Sequence, residues 1–317
     1  MSAFAQVEVD AQYRAIREAA GLLERPERRI IRLTGADAVD YLQGQLTQDI
    51  EAIAPGESRY AALLDRKGHM QSDMRVLRVS ERELLCELEP VGFDRVVRHL
   101  GMYKIGREVE VADAGDELIV LSLIGPASVE VAGIGPVGAE GTIREAEIDG
   151  VKALAVASDQ GIDLFASRDA AEQLHAALRQ AGAEPVDEPA AEIVRVESGR
   201  PRFGLEMSER TMPAEAGIIE RAVSFTKGCY IGQETVARLH HRGKPNRHLR
   251  GLRLEAPVPP GEPVSKQGKE VGRLGTSVLS PARGAIGLAI LRREAEPGDR
   301  VEVGDLGSGE VVELPFD

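Results

Sequence analysis

The sequence predicts an α+β protein of three domains, and three observations carry that expectation. At 317 residues the chain is too long for one small core and calls for two or three. Over the first two hundred residues, strand-like runs alternate with helical spacing, as in sheets with helices packed on one face. From Val264 to Leu314 the pattern changes to short strands at regular spacing with glycine-rich turns, the mark of a small antiparallel β-barrel.

The elements follow in order. Asp10 to Leu23 has helical spacing, with Ile16, Ala19, Ala20 and Leu23 on one side, and ends in the turn Arg25-Pro26. Arg29 to Leu33 reads as a strand, after which Thr34 is expected to cap a helix through Ala38, Tyr41, Leu42 and Leu46. Pro55-Gly56 makes a turn; Arg59–Leu64, Asp73–Val79 and Glu83–Leu88 read as strands around the loop Asp65-Arg66-Lys67-Gly68-His69, and Cys86 falls in the strand pattern as a core residue. Pro90 opens a helix with Phe93, Val96, Val97 and Leu100. Glu117 to Ile124 is a continuous apolar run, expected to be buried on both faces. The glycines between 133 and 138 form a loop that lacks a phosphate-binding Gly-Lys-Ser or Gly-Lys-Thr. Strands over 151–157 and 162–166 precede a helix over 169–181 that stops at Gly182. Glu188-Pro189 opens another helix, with Ile193, Val196 and Glu197 before Gly199, and Pro257 to Pro263 links to the barrel.

Composition narrows the function classes. Hydrophobic residues make up 43% and charged residues 29%, ordinary for a globular protein. With no Trp and 3% aromatics, a base-stacking platform is a poor expectation. The net charge of −13 argues against nucleic acid and anionic membranes as partners. Two cysteines, Cys86 and Cys229, are too few for a disulfide framework or a four-thiolate metal site. The amino-terminal segment is acidic, and no apolar run approaches the ~20 residues that span a bilayer. The expected location is the cytoplasm.

One stretch stands apart: Lys227-Gly228-Cys229-Tyr230-Ile231-Gly232-Gln233-Glu234. A thiol reacts as the thiolate, which a helix start and nearby cations such as Lys227 and Arg238 favour, and the flanking glycines allow backbone geometry closed to other residues. Read alone, a cysteine such as Cys229 is more often a small buried apolar residue. Between Glu234 and Glu255 there is no acid, while Arg238, Arg242, Lys244, Arg247, Arg250 and Arg253 accumulate with three histidines. This basic island is either a local anion site or a solvated face. A zinc site from Cys229, His240 and His241 is disfavoured, because adjacent residues on a helix point about 100° apart.

The motif Lys-Gly-Cys-Tyr-x-Gly-Gln-Glu, followed by Ala237-Arg238 and Arg242-Gly243, resembles the signature of the YgfZ group of folate-binding proteins, relatives of the aminomethyltransferase (T-protein) of glycine cleavage. The resemblance spans nearly the whole chain. It implies a T-protein-like fold around a central folate pocket: a discontinuous first α+β domain (1–30 and 118–240), a second (31–117) and a barrel (245–317). It also implies tetrahydrofolate or a derivative as cofactor, and a tetrahydrofolate-binding accessory role in iron–sulfur cluster assembly or repair, with iron–sulfur client proteins or assembly factors as partners. The alternative is a folate-dependent aminomethyltransferase or other one-carbon transferase. By the same resemblance, Glu197 in Arg195-Val196-Glu197-Ser198-Gly199 binds the pterin, Asp94 assists at the reactive nitrogens and Tyr60 lines the pocket. Cys229 brings thiol chemistry beside the cofactor, and Lys227 and Arg238 are expected among the residues that bind it. Where T-proteins carry a Thr-Gly-Tyr-Thr-Gly-Glu loop, this chain has Ala157-Ser158-Asp159-Gln160-Gly161-Ile162-Asp163.

Overall fold

Two sheets pack face to face, helices cover their outer faces, and a closed barrel sits beside them. The computed structural model describes residues 3–305 and 307–316; the side chains of 3–5 and 242 are not among the described groups. The first sheet contains β1 (Gly21–Glu24), β7 (Leu118–Ile124), β8 (Ile143–Ile148), β9 (Val151–Ser158), β10 (Gly161–Ser167) and β11 (Glu184–Pro185), in the order β11-β1-β7-β10-β9-β8. Its neighbours are antiparallel except β1 with β11. As the unbroken apolar run implied, β7 is covered on both faces, with only Leu118 half-buried.

The second sheet holds β2 (Arg29–Thr34), β3 (Glu57–Leu64), β4 (Met70–Ser80), β5 (Glu83–Leu88) and β6 (Glu110–Asp113), in the order β3-β4-β5-β2-β6. Helices α2 (Ala38–Gln43) and α3 (Pro90–Tyr103) close its outer face: Tyr41, Leu42, Phe93, Val96 and Leu100 meet Ile31, Leu33, Val76, Cys86 and Leu88 in one core. Pro90 stands where its missing amide hydrogen costs nothing, at the start of α3. Thr34 caps no helix. It ends β2, and the chain turns at Gly35, whose φ of +131° and close approach to Glu108 O (2.1 Å from an added Cβ) admit no side chain.

On the first sheet, α4 (Ser128–Ala132) and α5 (Ala171–Gln180) cover the outer face through Ala132, Leu174 and Leu178. Helix α1 (Ala3–Glu18) packs with α6 (Glu188–Glu197), sharing Tyr13, Ile16, Ala190, Ile193 and Val194. The stretch 203–236 was expected with the first sheet. It carries α7 (Ile219–Ala222) and the first turn of α8 (Gln233–Arg242), and packs instead on the second, where Phe203, Met207, Ile218, Val223 and Tyr230 bury Ala62, Leu64 and Met70.

The barrel comprises β12 (Arg247–Leu254), β13 (Pro263–Lys266), β14 (Lys269–Ser280), β15 (Gly284–Arg292), β16 (Arg300–Val303) and β17 (Gly307–Val312). It closes in the order β12-β15-β14-β13-β16-β17, antiparallel throughout. Val196 of α6 seats on Ile286, Leu288 and Phe316, fixing the barrel against the first sheet's helices. No helix among the described residues is long and apolar enough to cross a membrane.

Candidate functional site

The inner faces of the two sheets change character along their length. At one end Leu77, Leu85, Val120, Val156 and Phe165 close against one another. Two residues further along the same strands stand Arg75, Glu87, Ser122 and Asp163, and here the sheets part around a cavity of about 450 Å³. That volume lies within the range of small-molecule sites.

Eight arginines and eight carboxylates line the cavity, and half of them, four of each sign, form a closed ring. Arg28 pairs with Glu87 and Glu89. Glu87 also meets Arg75 (3.2 Å), which reaches Asp163 (2.7 Å). Ser122 donates to Asp163 and accepts from Arg25 (2.8 Å), whose guanidinium meets Glu188 (3.4 Å). Glu188 pairs with Arg202, and Arg202 returns to Glu89 at 2.8 Å. Burial alone would raise the Glu87 carboxyl, but Arg28 and Arg75 hold it down to about 2, while the two glutamates raise the Arg28 guanidinium against the opposing effect of burial. Outside the ring, Arg195 meets Glu192 (2.6 Å), Arg200 meets Asp159 (2.7 Å) and Arg221 meets Glu140 (2.5 Å).

Among the described residues that line the cavity, one of each sign is left over. Asp73 is the cavity carboxylate with no cationic partner: Oδ2 accepts from the Tyr60 hydroxyl at 2.5 Å, and the buried Oδ1 has no hydrogen-bond donor. Tyr60 and Asp73 are diagonal neighbours across β3 and β4, where Ala62 faces Asp73 and Tyr60 faces Arg75. Burial pushes the Asp73 carboxyl up to about 6, against the Tyr60 hydrogen bond and the charge of Arg28. The Tyr60 hydroxyl is raised well above its ordinary value by burial and by Asp73. Arg59 is the cavity arginine with no carboxylate partner; it is exposed at the rim, with one long bond to Ala52 O (3.5 Å).

The architecture matches known proteins throughout. The sequence profile of the GCVT N-terminal domain covers residues 2–227, and that of the glycine cleavage T-protein C-terminal barrel domain covers 247–317. The chain belongs to the GCVT family. Its relatives include an aminomethyltransferase of Rubrobacter xylanophilus, 29% identical over 97% of this chain and 86% of that protein. An aminomethyltransferase of Bacillus subtilis is 26% identical over 97% and 90%, and a putative chloroplastic transferase of Arabidopsis thaliana is 28% identical over 90% and 68%. The crystal structure of the glycine cleavage system aminomethyltransferase T from Bartonella henselae shares the fold, with a TM-score of 0.87 over 98% of this chain and 89% of that one at 21% identity.

Within this GCVT fold the residues expected to act at one site lie apart. Tyr60 lines the cavity; Glu197, Asp94, Lys227, Arg238 and Cys229 do not. Asp94 is exposed on α3, because the helix period that buries Phe93 and Val96 turns it outward. Glu197 is buried, but its oxygens are taken by Tyr13 (3.0 and 3.2 Å), Arg17 and Ser280, which join α1, α6 and the barrel. Lys227 is buried with its ammonium on the carbonyls of Gln43, Leu46 and Gln48. Cys229 and Arg238 are exposed, and the neighbouring His240 stacks on Phe225 with centroids 3.9 Å apart. The sequence reading passed over Asp73. A signal was present: a carboxylate inside a strand whose alternate residues, Met74 and Val76, are core.

Proposed function

We propose that the cavity binds tetrahydrofolate or a derivative and that the chain is a folate-dependent aminomethyl or other one-carbon transferase. The observation that carries this reading is the charge left over after pairing: one buried carboxylate oxygen without a donor, Asp73 Oδ1, and one arginine without an acid, Arg59 at the rim. A reduced folate has the matching polarity, with N–H donors and a basic nitrogen at one end and the carboxylates of glutamate at the other. When bound, it supplies a nitrogen that carries the one-carbon unit. Asp73 holds or accepts a proton at Oδ1, and a carboxyl near pH 6 is suited to proton exchange at neutral pH. Tyr60 fixes the second oxygen of Asp73, and the Arg221 guanidinium lies 5.3 Å from the Tyr60 ring centroid. The ion-pair ring keeps the walls apart and self-neutralised, and Arg59 takes the anionic tail. The relatives named aminomethyltransferase favour transfer chemistry, and a cytoplasmic location accompanies the reading.

The test is a calorimetric titration with tetrahydrofolate and its 5-formyl form, followed by turnover with an aminomethyl-lipoyl carrier protein. One-site binding that Asp73→Asn weakens, with loss of turnover, is expected; no binding to either form refutes the proposal.

A second reading keeps the thiol: an accessory role in iron–sulfur cluster assembly or repair, acting on client proteins. It is favoured by the exposure of Cys229 on a loop outside the cavity. It requires Cys229→Ala to lower the activity of a cluster-containing client enzyme while leaving folate binding intact.

A further inference from the structure

The Lys-Gly-Cys motif lies outside the cavity, yet its loop is tied to the cavity wall. The Thr47 hydroxyl donates to Ala222 O at 2.5 Å, the Ser224 amide to Thr47 O at 3.0 Å, and Gln48 Nε2 to Arg221 O at 2.9 Å. Lys227 completes the clasp: its ammonium donates to the carbonyls of Gln43, Leu46 (2.7 Å) and Gln48 (3.0 Å). An ammonium has three N–H groups, and here three acceptors meet them. Gln43 is the last residue of α2, where helix carbonyls lack intrahelical partners and positive charge is favoured, and Leu46 and Gln48 lie in the loop that follows.

From this clasp a continuous path leads to the unpaired carboxylate. Gln48 and Arg221 both line the cavity, Arg221 lies over the Tyr60 ring, and Tyr60 holds Asp73. We propose that Lys227 is a positioning residue: by clamping 221–229 onto 43–48 it sets Arg221 and Tyr60 around Asp73, and it couples the Cys229 loop to occupancy of the cavity. The proposal rests on the folate reading. Coupling is reciprocal, so whatever the clasp does for the ligand, the ligand does for the loop. Cys229 is exposed and reports on that loop; Cys86 is wholly buried, its thiol pushed up to about 12, and stays silent.

The experiment measures alkylation of Cys229 by iodoacetamide, with and without saturating 5-formyltetrahydrofolate, in the full chain and in Lys227→Met. In the wild type the ligand should slow alkylation by at least about fivefold, the lower end of coupling between sites. Lys227→Met should weaken the ligand by a similar factor and abolish the protection, and Lys227→Arg, which keeps the charge, should restore part of both. Equal affinity in Lys227→Met, or wild-type alkylation unchanged by a ligand that binds, overturns the proposal alone. A wild-type chain that binds no folate overturns the folate reading, and the proposal with it. If Lys227→Met does not fold, the wild-type measurement decides.

Discussion

Glu197→Gln separates a ligand-binding role for this residue from an architectural one. The carboxylate is 3% exposed and accepts from Tyr13 and Arg17 on α1 and from Ser280 in the barrel, while its own backbone carbonyl accepts from the Phe316 amide at 3.1 Å. Glutamine has the same shape but one acceptor oxygen fewer, and its amide turns a donor toward donors. A hydrogen bond to a charged group contributes about 1.5–3 kcal/mol. The Arg17 side chain is 42% exposed and can turn to water, so its share is discounted, leaving about 2 kcal/mol for the buried Tyr13 and Ser280 contacts. For a chain of this size that is a drop of roughly 4 °C in melting temperature. Because Glu197 does not line the cavity, affinity for tetrahydrofolate should stay within about twofold, or under 0.5 kcal/mol. Thermal melts by circular dichroism and calorimetric titration of the same preparation measure both. A variant with native melting and lost folate binding would refute this reasoning and return Glu197 to the pterin.

Further outcomes can be measured on the same protein. Asp73 has its carboxyl raised from 3.8 to about 6, so the folded chain holds this proton where the unfolded chain has released it. The stability it contributes is therefore full below pH 3.8 and lost as pH rises through 6, by roughly 3 kcal/mol at 1.36 per unit. Asp73→Asn should gain on the wild type across that window in denaturant titrations while losing folate affinity; a stability difference that does not vary with pH would contradict the raised value. Arg59→Glu should weaken a folate with several glutamates more than a monoglutamate, in competition titrations at low salt, because the charge at the rim is reversed; equal losses would remove Arg59 from the tail. Thiol counting should find one reactive cysteine in the native chain and two after denaturation, and two in the native chain would contradict the burial of Cys86.

Much of the scaffold was legible because its signals are local. Pro90 and Pro189 mark the starts of α3 and α6, Gly182 and Gly199 follow helices with φ of +105° and +66°, and the apolar run of β7 announces a central strand. Thr34 misled because a threonine before helical spacing resembles a cap, while the chain here is still paired with β5 and β6. Asp94 and Asp73 illustrate the harder case. Asp94 follows the helix period of α3 to the solvent, whereas Asp73 alternates with apolar residues in a strand, which ordinarily means a solvent face; in β4 and β5 the charged face of Asp73, Arg75 and Glu87 looks into a second sheet. The partners that make this interior habitable are remote, with Glu87 59 positions along the chain from Arg28, Asp163 88 from Arg75 and Arg202 113 from Glu89. No window along the sequence contains them together.

The ring itself calls for a functional explanation. Buried ion pairs contribute little net stability, and well-packed apolar residues commonly do as well or better in their place. The other end of the same sheet interface shows the alternative, since Leu77, Leu85, Val120, Val156 and Phe165 close it without charges. Replacing Arg75, Glu87 and Asp163 by residues of that kind would extend the apolar seam and fill the cavity. The ring thus holds an open, polar chamber between two sheets that would otherwise meet, and its own pairing removes its charges from competition for a ligand. On the proposed folate reading, what remains to select the ligand is the carboxylate that the ring leaves unpaired at depth, Asp73, and the arginine left unpaired at the rim, Arg59.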